Sequence, residues 1–116
     1  MVVSLNLTPT FSDVTGSFTV YRSGLALNRT TGQYSGTYRI TNKTGAAITG
    51  PFHVELSGLP AGVTLANASG TRNGKPYITA AATTLAPGAS VTVTTLFNNP
   101  SKVGINYSAT IYSGTF

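Results

Sequence analysis

Apolar and polar side chains alternate with a period of two along several short stretches of the chain, which predicts half-buried β-strands. The clearest stretches are QYSGTYRITN at residues 33–42, FHVELSG at 52–58 and SVTVTTLF at 90–97. Weaker strand patterns begin at MVVSLNLTP, SFTVYR, GLALN, VTLAN, PYITA and GINYSATIYSG. No helical period is sustained, so the chain is predicted to be all-β.

The alternation also assigns each strand an inner and an outer side. In residues 52–58, His53, Glu55 and Ser57 are predicted to face solvent. The residues assigned to the apolar side of their strands are Tyr34, Gly36, Tyr38, Ile40, Phe52, Val54, Leu56, Val91, Val93, Thr95, Phe97, Ile105, Tyr107, Ala109 and Ile111.

Turn signals separate these strands at intervals of roughly 8–12 residues, the spacing of a β-sandwich. LPAG places Pro60 and Gly62 in one turn, and Asn73-Gly74 is a strong tight-turn signal. We therefore expect a single domain over residues 1–116, an all-β Greek-key sandwich of about seven to nine strands.

Composition narrows the classes of function. Charged residues make up 8% of the chain, against about 25% in soluble domains. The net charge of +5 arises because there are only two acids, and the basic residues are scattered singly, which argues against nucleic-acid binding. The chain has no cysteine and no apolar run of membrane-spanning length, so neither thiol chemistry nor membrane insertion is expected.

His53 is the only histidine and Glu55 is one of the two acids, and both project from the same side of one predicted strand. A metal site needs more ligands, and the only other acid is Asp13 in a loop. A serine triad needs an activated serine, and no G-x-S-x-G motif occurs. The pattern favours two solvent-facing polar residues, with Arg39 as the cross-strand partner of Glu55, and neither an enzyme nor a cofactor is expected.

Tyrosine rings are the remaining candidates for ligand contact, because exposed aromatic rings stack on sugars. Tyr34, Tyr38 and Tyr107 fall on the apolar side of their strands, whereas Tyr21 and Tyr112 fall opposite an apolar neighbour. The candidate ligand surface comprises Tyr21, Tyr112, Arg39, His53, Glu55 and Thr37. Five N-x-[ST] sequons also occur, at Asn6, Asn28, Asn42, Asn67 and Asn106.

Three motifs in this order carry a family resemblance: TTGQYSG, ITGPFHVELSGLPAGVTL and LAPGASVTVTTLFNNP. Over about residues 18–114 the chain resembles the immunoglobulin-like or fibronectin-III-like accessory modules of bacterial secreted and cell-surface multidomain proteins. The resemblance implies an immunoglobulin-like sandwich and carries over no catalytic residue. Residues 1–17 lie outside it and are expected to be a first strand or a join to a preceding domain.

The leading functional expectation is a non-catalytic accessory module, extracellular or at the cell surface, that acts as a structural spacer or supports adhesion. Its partners would be the neighbouring domains of a larger parent protein. One alternative is a carbohydrate-binding module with a polysaccharide partner. A further alternative is a self-assembling subunit, in which the apolar strand Val2–Leu7 completes the sheet of a neighbouring copy.

Overall fold

A computed structural model describes residues 11–80 and 84–114 of the chain. Apart from one 3-10 turn at Thr15–Ser17, the regular structure in these residues is β-strand. The strands are β1 (Phe11–Asp13), β2 (Phe18–Arg22), β3 (Ala26–Asn28), β4 (Gln33–Asn42), β5 (Ile48–Thr49), β6 (Phe52–Ser57), β7 (Thr64–Leu65), β8 (Gly70–Arg72), β9 (Lys75–Ala80), β10 (Thr84–Leu85), β11 (Ser90–Asn98) and β12 (Ser108–Gly114).

The strands form two five-stranded antiparallel sheets. Sheet A has the order β1-β12-β6-β9-β8, and sheet B has the order β2-β4-β11-β7 with β3 beside the start of β4. A ribbon of β5 and β10 is a third, small sheet. This confirms the all-β sandwich. The described strands outnumber the seven to nine expected because several contain only two or three residues.

One apolar core lies between sheets A and B, where Phe18 of β2 meets Phe52 of β6 edge-on with ring centroids 5.5 Å apart. The inner sides predicted for β4, β6 and β11 are confirmed, and their most deeply buried side chains include Tyr38 and Phe97. In the last stretch Ile111 is fully buried, whereas the other apolar side chains assigned to that side pack against the core only partly.

The predicted tight turn at Asn73-Gly74 is confirmed. It joins β8 to β9, with Arg72 and Lys75 as the last paired residues. Asn73 has a φ of 52° and Gly74 a φ of 76°, and two successive left-handed residues are what a two-residue hairpin turn requires. The turn therefore fixes Arg72 at the outer edge of sheet A.

The described chain enters and leaves the sandwich at the same end, because Phe11 pairs with Gly114 in the β1–β12 ladder. Beyond β1, the backbone of Ile111 is bonded by the Val14 amide and the Thr15 hydroxyl. This edge of β12 is therefore largely covered. The segment Val2–Leu7, which the sequence predicts to be a strand, lies outside the described residues, and so does its predicted role in self-assembly.

The described residues contain no helix long and apolar enough to cross a membrane. The open edge of sheet B, in contrast, exposes apolar side chains. Val20 is 37% exposed, Leu25 38% and Leu27 42%, because β2 and β3 have no further strand beside them in the described part of the chain.

Candidate functional surfaces

The six residues predicted to form one ligand surface lie on two different sheets. Tyr21, Thr37 and Arg39 belong to β2 and β4 of sheet B, whereas His53 and Glu55 belong to β6 of sheet A. Tyr112 of β12 lies directly beside His53 in sheet A. The prediction of a single shared surface is therefore wrong, because the chain changes sheets between β4 and β6.

His53 and Glu55 do not face solvent as predicted: His53 is 7% exposed and Glu55 is 4% exposed. Both lie on the outer side of sheet A, as the alternation requires, since Val54 between them is in the core. They are covered because long side chains from neighbouring strands flank them, with Tyr112 beside His53 and Tyr77 beside Glu55 in register.

Both ring nitrogens of His53 are engaged. Nε2 lies 2.8 Å from the carbonyl oxygen of Gly114, and Nδ1 lies 2.9 Å from the hydroxyl of Thr79. A carbonyl can only accept, so Nε2 carries the proton in this bond. The Tyr77 ring meets the imidazole edge-on, with centroids 5.4 Å apart. His53 thus bridges β9 and the end of β12, which is a structural role.

Glu55 pairs with Arg72, and the predicted pairing with Arg39 is wrong. The Nε atom of Arg72 lies 3.0 Å from the Glu55 carboxylate, and the two side chains are 24% and 5% exposed. The Arg72 guanidinium also lies 4.7 Å from the ring centroid of Tyr112 and 5.0 Å from that of Phe11. A planar guanidinium suits both contacts at once. We call the set His53, Glu55, Arg72, Tyr77, Tyr112 and Phe11 the Arg72 cluster.

The Arg72 cluster is joined by an ion pair, hydrogen bonds and ring contacts. Among the described residues no group of three or more acids, histidines or cysteines lies together as a metal site would need. Nor does any buried side-chain oxygen or nitrogen in the described part lack a hydrogen-bond partner. The titratable side chains of the Arg72 cluster are bonded to one another, to a neighbouring hydroxyl group or to the backbone.

The outer side of sheet B is a second surface, rich in hydroxyl groups. Tyr21 is 56% exposed, and the Arg39 guanidinium lies 5.2 Å from its ring centroid. Thr37 pairs with Thr94 and Arg39 with Thr92 across the β4–β11 ladder, and all four side chains are exposed. We call this surface, centred on Tyr21 and Arg39, the Tyr21 face.

Arg22 of β2 links sheet B to the segment that leads into β12. Its Nη1 donates to the carbonyl oxygen of Tyr107 at 3.1 Å, and its guanidinium lies 4.4 Å from the Tyr107 ring centroid and 5.3 Å from that of Tyr38. Burial raises the pKa of both Tyr38 and Tyr107, and the nearby Arg22 charge opposes that rise without cancelling it.

We predict that Tyr38 and Tyr107 ionise above the ordinary tyrosine pKa of about 10. A pKa that is raised in the folded state stabilises the fold fully below the unfolded value, and this stabilisation is lost as pH rises through the folded value. Urea unfolding should therefore show stability falling above about pH 10, less steeply in Tyr107→Phe. Tyr21→Phe is the matched control, and an identical slope in all three proteins would contradict the prediction.

Among the clefts at the surface of the described residues, two are large enough for a small ligand. One, of about 460 Å³, lies beside the β8–β9 hairpin and includes Lys75. The other, of about 520 Å³, lies between the β3–β4 hairpin and the loop after β11, and it includes Arg29 and Lys102. Neither was predicted from the sequence. The first is lined by residues of the single stretch 56–76, whereas the second joins two turns that are far apart along the chain.

A scan of the sequence against models of protein families matches none of them. No characterised protein matches the chain by sequence either.

Proposed function

We propose that this protein is a non-catalytic accessory module of a secreted or cell-surface protein. The observation that carries the proposal is the Arg72 cluster, which holds the only histidine and one of the two acids in satisfied contacts. Catalytic groups need access to a substrate. His53 and Glu55 are buried and serve to hold β6 against its neighbours.

The strand order supports the likeness to immunoglobulin-like modules. In an immunoglobulin domain one sheet has the order A-B-E-D and the other contains C, F and G. With β6 as C, sheet B has the same order, as β2, β4, β11 and β7. Sheet A places β12 beside β6 as F lies beside C, and β1 lies where G would be. Many cell-surface domains share the sandwich architecture.

The course of the described chain favours adhesion support over an in-line spacer. Phe11 and Gly114 are paired neighbours, so the described chain enters and leaves the sandwich at one end of it. The module would then project sideways from its parent, with the opposite end and both sheet faces accessible to partners.

Substitution His53→Ala tests the non-catalytic assignment. It removes hydrogen bonds to Thr79 and Gly114, so we expect a loss of about 1–2 kcal/mol in the free energy of unfolding. Against a panel of chromogenic esters, glycosides and phosphate esters, the unsubstituted protein should show no turnover above buffer. Turnover that disappears in His53→Ala, under conditions where the variant remains folded, would overturn the proposal.

Carbohydrate binding is the second candidate, and the exposure of Tyr21 favours it. The Tyr21 face combines a largely exposed ring with rows of hydroxyl groups, and rings of this kind supply apolar area with a polar tip. Tyr112, in contrast, is packed between Arg72 and Phe11 within the Arg72 cluster, which makes it a poorer sugar platform.

Affinity electrophoresis through gels containing neutral soluble polysaccharides tests this candidate. If the Tyr21 face binds sugar, Tyr21→Ala should abolish retention while leaving the melting temperature nearly unchanged. Tyr112→Ala is the matched control: it should lower stability and, where still folded, keep the retention. No retention on any polymer of the panel, or retention that only Tyr112→Ala removes, would count against the Tyr21 face.

A further inference from the structure

The cleft between the β3–β4 hairpin and the loop after β11 carries positive charge that no acidic side chain of its lining balances. We call it the basic cleft; it is lined by Leu27, Arg29, Gly32, Tyr34, Asn99, Pro100 and Lys102. The chain has only two acidic side chains, and both are engaged elsewhere: Glu55 with Arg72, and Asp13 with Thr15. Two cations therefore share one cleft with no acidic side chain to neutralise them.

The turn that carries Arg29 is held by Asn28. The Asn28 side-chain oxygen accepts the backbone N–H groups of Thr30 and Thr31 at 3.0 and 3.3 Å. Its main-chain oxygen accepts the N–H of Gly32 at 2.7 Å. These bonds close a compact turn around Arg29, so its backbone is already ordered before anything binds.

The loop that carries Lys102 is held by Asn99, which is 4% exposed. The Asn99 side chain donates to the carbonyl of Val103 at 2.7 Å and accepts the N–H of Val103 at 3.1 Å. Lys102 is thereby kept at a φ of 53°, in the left-handed region that costs a side-chain-bearing residue roughly 1 kcal/mol. A glycine would suit that backbone better, so the presence of a lysine there points to a use for its charge.

Apolar surface completes the basic cleft. Among the residues that line it, Tyr34 is half-buried, and Leu27 and Pro100 are exposed. Its volume of about 520 Å³ is in the range of sites that hold small ligands or a few sugar rings. A ligand that fits has a negative charge for the two cations and an apolar ring face for Tyr34 and Pro100.

We infer that the basic cleft binds an acidic polysaccharide, with a uronic-acid carboxylate held between Arg29 and Lys102. A uronic-acid ring combines a carboxylate, hydroxyl groups and an apolar face in one unit. A nucleic acid would require a longer track of cations than these two. The inference goes beyond the accessory role proposed above and concerns a different surface from the Tyr21 face.

Affinity electrophoresis of the full 116-residue chain against polygalacturonate tests the inference, with the methyl-esterified polymer as the matched neutral ligand. We expect retention by the acid polymer that is lost on the ester. Raising the salt from about 50 to about 200 mM should weaken binding several-fold, because exposed charge pairs are screened. Equal retention on the esterified polymer, or no retention on the acid polymer at low salt, would overturn the inference.

Three variants assign the binding to the cleft. Lys102→Gly removes the charge and fits the left-handed backbone, so the fold should be kept while affinity falls at least about fivefold. Arg29→Ala should do the same. Lys75→Ala removes an equal charge at the other cleft and should change affinity less than about twofold. An equal loss with Lys75→Ala, or equally tight binding of a single-stranded oligothymidylate, would instead indicate unspecific charge attraction and overturn the inference.

Discussion

Replacing Arg72 by alanine is expected to lower the free energy of unfolding by about 2–4 kcal/mol. The substitution leaves the Glu55 carboxylate, whose side chain is 5% exposed, without its ion-pair partner. It also removes the guanidinium that packs on Tyr112 and Phe11. Because the Arg72 side chain is itself 24% exposed, water offsets part of the loss, which places the estimate below that for a fully buried pair.

Urea unfolding followed by circular dichroism measures this loss. Lys75→Ala is the control, since Lys75 pairs with Arg72 across the hairpin but is exposed; we expect it to change stability by less than about 0.5 kcal/mol. In a double-mutant cycle, Glu55→Gln combined with Arg72→Ala should cost less than the sum of the single changes. A loss below about 1 kcal/mol for Arg72→Ala would mean that the pair contributes no more than an exposed one.

Replacing Asn42 by alanine should cost about 3 kcal/mol, because the side chain is fully buried and makes four hydrogen bonds. Its amide nitrogen donates to the carbonyls of Ala46 and Leu85 at 2.8 and 2.9 Å. Its oxygen accepts the backbone N–H and the hydroxyl of Thr44 at 2.9 and 2.7 Å. Asn42 thus ties the end of β4 to the turn before β5 and to β10, and alanine would remove one donor from each of those carbonyls.

Asn42→Asp is a sharper second variant, since it keeps the shape and replaces the donor with an oxygen facing two carbonyl oxygens. We expect it to be at least as destabilising as alanine. Asn106→Ala is the control because Asn106 is exposed, and thermal unfolding should show little change for it. If Asn42→Ala shifted the melting temperature no more than Asn106→Ala, the hydrogen-bond network would have no net effect on stability.

Much of the fold could be predicted from the sequence because the alternation of side chains records which side of a strand faces the core. Val93 and Phe97 in β11, like Tyr38 and Ile40 in β4, are buried as that pattern requires. The turn at Asn73-Gly74 could also be predicted, because only a few residues tolerate a left-handed backbone.

The burial of His53 and Glu55 could not be predicted in the same way. The alternation predicts that these side chains point away from the core. It does not predict which side chains of neighbouring strands lie beside them on the outer side of the sheet. The side chains that cover His53 and Glu55 belong to Arg72, Tyr77 and Tyr112. They lie near β6 because β9 and β12 pair with it in one register and β8 pairs with β9. That register is set by packing between segments far apart in the chain.

The burial of Asn42 could not be predicted from the sequence either. In the sequence it is the first residue of an N-x-[ST] sequon, a signature of exposed loops. In the fold it is fully buried, and the Thr44 of its own sequon accounts for two of its hydrogen bonds. The same Asn and Thr spacing also forms a local side-chain-to-backbone turn. Only tertiary packing determines whether such an Asn is buried in a turn or exposed in a loop.

The adjacency of Phe11 and Gly114 has a mechanical consequence. If tension were applied at Phe11 and Gly114, it would pull β1 away from β12 along their hydrogen bonds, which run perpendicular to antiparallel strands. The hydrogen bonds between β1 and β12 would then break one after another, starting at Phe11 and Gly114. In strands pulled parallel to their length, all the bonds would instead resist the force together. Peeling residues 11–17 would add roughly 20–25 Å of slack while the core stayed folded. Under load, this sandwich is expected to yield early at its first strand and to act as a short compliant tether.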